Sequence, residues 1–126
     1  MPRSVAAVPL RALSDLIESV TVDGYGADEQ LAAFLGAFSG EVRVPGAATV
    51  LDLPIEILRF DVEGDERRGL VVRCAREAKR AGAVALADMR FEPATTAALL
   101  QAAYRSRLGL PPFSARRPAG WIWPER

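Results

Sequence analysis

The residues best suited to chemistry lie in Arg59-Phe-Asp-Val-Glu-Gly-Asp-Glu-Arg-Arg68, where Asp61, Glu63, Asp65 and Glu66 put four carboxylates within six positions around a glycine. Carboxylates at that density either hold a metal ion or are balanced by the chain's own cations. Calcium takes six to eight oxygens and magnesium six, so a site here needs water, backbone carbonyls or a second acidic patch. The helix-loop-helix calcium pattern is absent: Gly64 falls between the acids, and no bidentate glutamate follows six residues on. With Gly64-Asp65 as a two-residue loop, Glu63 faces Glu66, Val62 faces Arg67, and Asp61 faces Arg68. That register pairs Asp61 with a cation and sets two glutamates against each other. A bound cation, or an arginine folded over the tip, reverses the repulsion.

Other chemistries are narrowed by composition. The chain has no histidine, which removes the commonest general base and most zinc or iron sites. Cys74 is the lone cysteine, so no intrachain disulfide can form. It shares an alternate face with Leu70 and Val72, which predicts a buried core residue and not a nucleophile. A carboxylate pair could still serve as acid and base, but no second motif positions a substrate, so no enzyme class is expected. Sixteen basic and sixteen acidic residues cancel, and nucleic-acid binders ordinarily carry a basic excess. Arg73, Arg76, Lys79 and Arg80 form a local basic run, read as a solvated turn; nucleic acid is not an expected partner.

The elements that must position these residues follow from periodicity. Residues 1–9 read as a lead whose apolar run stops at Arg11 and Asp15, short of a signal peptide. No run approaches the length of a membrane span, so no membrane partner and a cytoplasmic location are expected. Leu13, Leu16, Ile17 and Val20 predict a helix over 10–20, and Leu31, Phe34, Leu35 and Phe38 a second over 27–39. Asp28 and Glu29 fall in the second helix's first turn, where its dipole favours carboxylates. Five short strands are then expected within 42–91: Val42-Arg-Val44, Thr49-Val-Leu51, Ile55 to Val62, Arg68 to Ala75, and Ala83 to Met89. Five short, closely spaced strands suit a small SH3-like barrel. Ala97, Leu100, Ala103, Tyr104 and Leu108 predict a last helix over 94–108. The expected architecture is α+β: one domain over 1–110 with N-terminal helices, a five-stranded SH3-like barrel and a C-terminal helix, then an extended tail over 111–126.

This order of features resembles the small bacterial calcium-binding proteins of the cyanobacterial CcbP type. The matching pieces are Val22-Asp-Gly-Tyr-Gly-Ala-Asp-Glu29, the strand region 42–91, and Ala97 to Leu108 with Tyr104, together spanning about residues 20–108. The resemblance implies a small binding protein with calcium as its ligand. Asp23, Asp28 and Glu29 would then be the second acidic patch beside Asp61, Glu63, Asp65 and Glu66.

The tail is rich in proline and arginine and carries Trp121-Ile-Trp123. Soluble monomers avoid exposing two tryptophans. They are expected to dock on the chain's own domain or on a partner, a second copy included, with Arg116-Arg117 as the looser stretch. The functional expectation is a non-catalytic binding protein with calcium as the leading ligand. A metal-independent protein-interaction module is the alternative, with an RNA-binding SH3-like domain, resting on the basic run 73–80, ranked below it.

Overall fold

The computed structural model describes residues 8–22, 24, 26–63, 69–77 and 79–118, and Asp23, Asp65, Glu66, Arg67, Arg68, Trp121 and Trp123 lie outside them. Helix α1 (Leu10–Val20) and helix α2 (Ala27–Glu41) come first, followed by strands β1 (Gly46–Val50), β2 (Leu53–Val62), β3 (Leu70–Arg76) and β4 (Lys79–Ala85). A 3-10 turn (Leu86–Asp88) then leads to helix α3 (Thr96–Arg107).

The strands form one antiparallel sheet in the order β1-β2-β3-β4, and β1 does not pair with β4. The sheet is therefore open and four-stranded among the described residues, which corrects the expected closed five-stranded barrel. Two local facts account for the missing strand. Helix α2 runs on to Glu41, and Val42 donates its backbone N–H to Phe38 as the helix cap, which leaves Val42-Arg-Val44 outside the ladder. The expected strand over 83–89 is the end of β4 followed by the 3-10 turn. Gly82, in the gap between the expected strands 68–75 and 83–89, lies inside β4 at φ +93, beside a register shift opposite Cys74 and Ala75. Glycine within a strand marks a bulge as readily as a turn.

A second bulge lies in β2, where the pairing slips between Ile57 and Arg59. The extra residue lets Ile57 and Phe60, three positions apart, both point inward, and both are buried. Leu70, Val72 and Cys74 face the same way from β3, as their alternation predicts. Arg59, Asp61 and Arg73 consequently project from the opposite face.

Helices α1, α2 and α3 pack together, and α2 covers β2. The contact centres on Phe38 against Phe60, with ring centroids 5.2 Å apart, and on Phe34 against Tyr104 at 5.5 Å. Helix α3 is the central element: Ala97 through Arg105 are all buried. Its alanines let neighbouring elements approach closely. Thr95 caps its start by accepting from the Ala98 N–H at 3.2 Å. Its end is a Schellman motif, with Gly109 at φ +80 and the Leu110 N–H reaching the Arg105 carbonyl at 2.9 Å.

Two polar side chains of α3 are buried and bonded to backbone carbonyls. Gln101 donates to the carbonyls of Leu86 at 2.8 Å and Met89 at 2.5 Å. Arg105 donates to Pro111 at 2.8 Å and Ala87 at 2.5 Å. These bonds fasten the 3-10 turn and the start of the tail to the core, because a buried donor left unmade is expensive. The described part of the tail, to residue 118, has no regular secondary structure. Ala115 is buried and accepts from the Val8 N–H at 2.9 Å, and the Arg116 N–H donates to Pro93 at 2.8 Å. Arg116, expected to be loose, is half-buried and anchored through its backbone.

Candidate functional site

The acidic strand end differs from the expected hairpin. Val62 pairs with Leu70 and Asp61 with Val71, so the connection runs from Glu63 to Gly69 and is longer than two residues. Asp61 thus faces Val71, and the expected partner Arg68 lies outside the described residues. Among the described residues its cations are two: Arg73 Nε lies 3.4 Å from Asp61 Oδ2, and Arg59 Nη2 lies 3.5 Å from the same oxygen. Arg59 sits two residues back on the same face of β2, and Arg73 reaches diagonally from β3, an approach long side chains can span. The Val62 backbone N–H donates to Asp61 Oδ1 at 2.8 Å. That bond, helped by Arg59 and Arg73 and outweighing partial burial, holds the Asp61 carboxyl below its ordinary value. Arg73 also places Nη1 3.7 Å from Glu63 Oε2. One guanidinium thus bridges two of the four candidate carboxylates.

Asp28 and Glu29 lie exposed in the first turn of α2. Among the described residues no group of three or more acidic, cysteine or histidine side chains could hold a metal ion. The described members of the two acidic patches, Asp28 and Glu29 against Asp61 and Glu63, are thus not gathered into one site. Cys74 is buried, its Sγ 3.6 Å from the Gly82 carbonyl oxygen, and burial pushes its thiol up. A thiol in that state is a poor nucleophile.

A second locus, not anticipated from the sequence, lies at the other end of β2. Leu51 and Asp52 connect β1 to β2 as a two-residue loop, with φ of 51° and 64°. Positive φ at both positions defines the tight hairpin turn that Asn-Gly ordinarily fills, and an L-residue held there is strained. Leu51 is also 88% exposed. The tip borders a groove of about 520 Å³ whose walls include Val50, Val84 and Phe113, with Asp52, Asp88 and Arg90 at its edge.

Phe113 is held in that groove by two cations. The Arg90 guanidinium lies 3.6 Å from its ring centroid and the Arg105 guanidinium 3.9 Å. Arg90 is positioned by an isolated antiparallel bridge to Thr49, with backbone bonds of 2.8 and 2.9 Å. Two backbone bonds thus hold Arg90 in the groove wall, while Asp52 and Asp88 stand exposed beside it. A tight gap between the apolar residues Val50 and Leu53 was the one available signal for the turn. Nothing local announces that Phe113, sixty residues on, completes the wall.

No protein-family model, curated protein or solved structure matches this chain. No helix among the described residues is long and apolar enough to cross a membrane.

Proposed function

We propose that the protein is a non-catalytic interaction module that binds a protein partner through the Leu51-Asp52 tip and needs no metal ion to do so. The observation that carries the reading is the tip itself. A leucine almost wholly exposed and held at positive φ is unfavourable on both counts, and such strain collects where a chain makes contacts. The neighbouring groove fits an apolar side chain against Val84 and Phe113. Asp52 and Asp88 at its rim complement a lysine or arginine beside that side chain. The partner segment is therefore an apolar residue flanked by a base.

The geometry at Asp61 favours this reading over calcium. A cation there would have to displace Arg59 and Arg73 from the oxygens they already approach. Each guanidinium also repels an incoming cation, and solvent screens that repulsion without reversing its sign.

A photo-reactive residue at position 51, in cells making the protein at its natural level, tests the proposal. The expected result is one discrete adduct that is absent when the probe sits at Glu18, on the exposed face of α1, and that weakens with Leu53→Asp. Equal labelling at both positions, or none at 51, would overturn it.

A further inference from the structure

The Leu51 tip and the groove beside it carry both halves of a contact on one surface. Leu51 borders the groove of about 520 Å³ yet is 88% exposed, so the chain's own leucine does not fill it. The turn explains why, because positive φ at Leu51 and Asp52 closes the hairpin in two residues and leaves the Leu51 side chain in solvent. Leu53 is exposed too, and it pairs across the hairpin with Val50, which lines the groove. Residues directly opposite share a face, so the apolar knob and the apolar hole adjoin.

The charges at the rim point the same way. Asp52, Asp88 and Arg90 all line this groove, and among the described residues none of the three takes part in an ion pair. Arg90 lies over Phe113 at 3.6 Å, which uses the face of its guanidinium and leaves the in-plane N–H donors for an acceptor. Acids and a base that share a rim without meeting cannot neutralise one another. A two-fold axis through that rim sets each against its opposite, since residue i then meets j and j meets i. Such a surface is complementary to itself in shape and in charge, and Leu51 with Arg90 meets the need for an apolar residue beside a base.

We infer that the partner at this tip is a second copy of the chain. Leu51 of each copy fills the other's groove against Val84 and Phe113, and each Arg90 faces an acid of the opposite rim. The inference rests on the reading of the tip as a binding surface and names its occupant. A hairpin tip and one groove make a small interface, so the pairing is weak and reversible.

Sedimentation equilibrium of the purified full chain, from about 1 µM to 1 mM, covers the affinities of so small a contact. The expected result is a monomer–dimer equilibrium within that range. Leu51→Asn supplies a residue that tolerates positive φ and removes the knob from both halves at once. It should raise the dissociation constant by about tenfold or more and leave the circular dichroism spectrum unchanged. A charge exchange supplies a gain of association. Arg90→Glu makes one rim wholly acidic and Asp88→Lys makes another mainly basic, so the two variants mixed should pair about tenfold more tightly than either does alone. A monomer throughout the range, a dimer that Leu51→Asn leaves intact, or a mixture no tighter than its components would overturn the inference. The photo-adduct at position 51 separates it from the reading beneath it. An adduct of twice the chain's mass supports both, an adduct with a different protein overturns the second copy and keeps the binding surface, and no adduct overturns both.

Discussion

Tyr104 offers the sharpest test of how α3 holds the sheet. Its hydroxyl oxygen accepts the backbone N–H of Leu70 at 2.9 Å, at the first residue of β3, and both residues are buried. Tyr104→Phe keeps the ring against Phe34 and removes only the acceptor. The Leu70 N–H then has no partner and no water, a loss of about 1–3 kcal/mol. For a domain of this size each kcal/mol lowers Tm by roughly 3–6 °C, so the variant should melt several degrees lower. Urea unfolding should show a lower midpoint with an unchanged slope. The pH dependence provides a second readout. Burial raises the Tyr104 phenol above its ordinary value of 10.0, against smaller lowering effects from the Leu70 N–H and Arg107. A raised folded-state value means the neutral phenol is favoured in the fold. Its contribution is fully present below pH 10 and is lost as pH rises through the folded-state value. The wild type should therefore lose stability in alkali more steeply than Tyr104→Phe. A variant within about 0.3 kcal/mol of wild type, with the same alkaline limb, would refute the reasoning.

Gly69 makes a paired case: it has φ +64, and an added Cβ would collide with the Tyr104 hydroxyl. Gly69→Ala should cost at least the ~1–2 kcal/mol of a left-handed L-residue, and Tyr104→Phe in the same chain should recover part of the excess, as a double-mutant cycle in urea would show. Replacing Leu51-Asp52 by Asn-Gly removes the strain at the tip and should stabilise the fold by about 1 kcal/mol while weakening partner adducts; a destabilised variant would contradict the turn assignment. Gln101→Leu leaves the Met89 carbonyl without its side-chain donor, while the Leu86 carbonyl still accepts the Met89 N–H at 3.3 Å, and should lower stability by about 1–3 kcal/mol in chemical unfolding. Asp61, whose carboxyl is held low, contributes stability above its unfolded value of 3.8 that is lost as pH falls through the folded value. Asp61→Asn should flatten the acid limb of a stability–pH curve and leave the alkaline limb alone.

The helices were legible from the sequence because their apolar stripes are local. Leu13, Leu16, Leu31, Phe34 and Phe38 recur at helical spacing and are buried. The face of β3 was legible for a similar reason, since Leu70, Val72 and Cys74 alternate. Sheet register was not, because it depends on where chains turn and slip. Gly82 signals a break, and the sequence alone does not say whether that break is a turn or a bulge. Leu51 and Asp52 lack the glycine that usually betrays a positive-φ turn, so the break was expected over 52–54 and lies at 51–52. The same error propagated to the candidate site. The expected 61–68 pairing did not suggest Arg73; in the observed register Asp61 pairs with Val71, and Arg73 reaches it diagonally. The Arg105–Phe113–Arg90 stack was not visible at all. Its members come from α3, the tail and the segment bridged to β1, and only tertiary carbonyls make a buried arginine tolerable.

The central claim is that the carboxylates at the end of β2 are balanced by the chain's own arginines and that the protein acts without a metal ion. A calorimetric titration of the full chain with calcium into the millimolar range tests it most directly. The expected result is no saturable heat and an unchanged melting temperature. Saturable heat that disappears in Asp61→Asn/Glu63→Gln, with a rise in Tm on adding calcium, would contradict it.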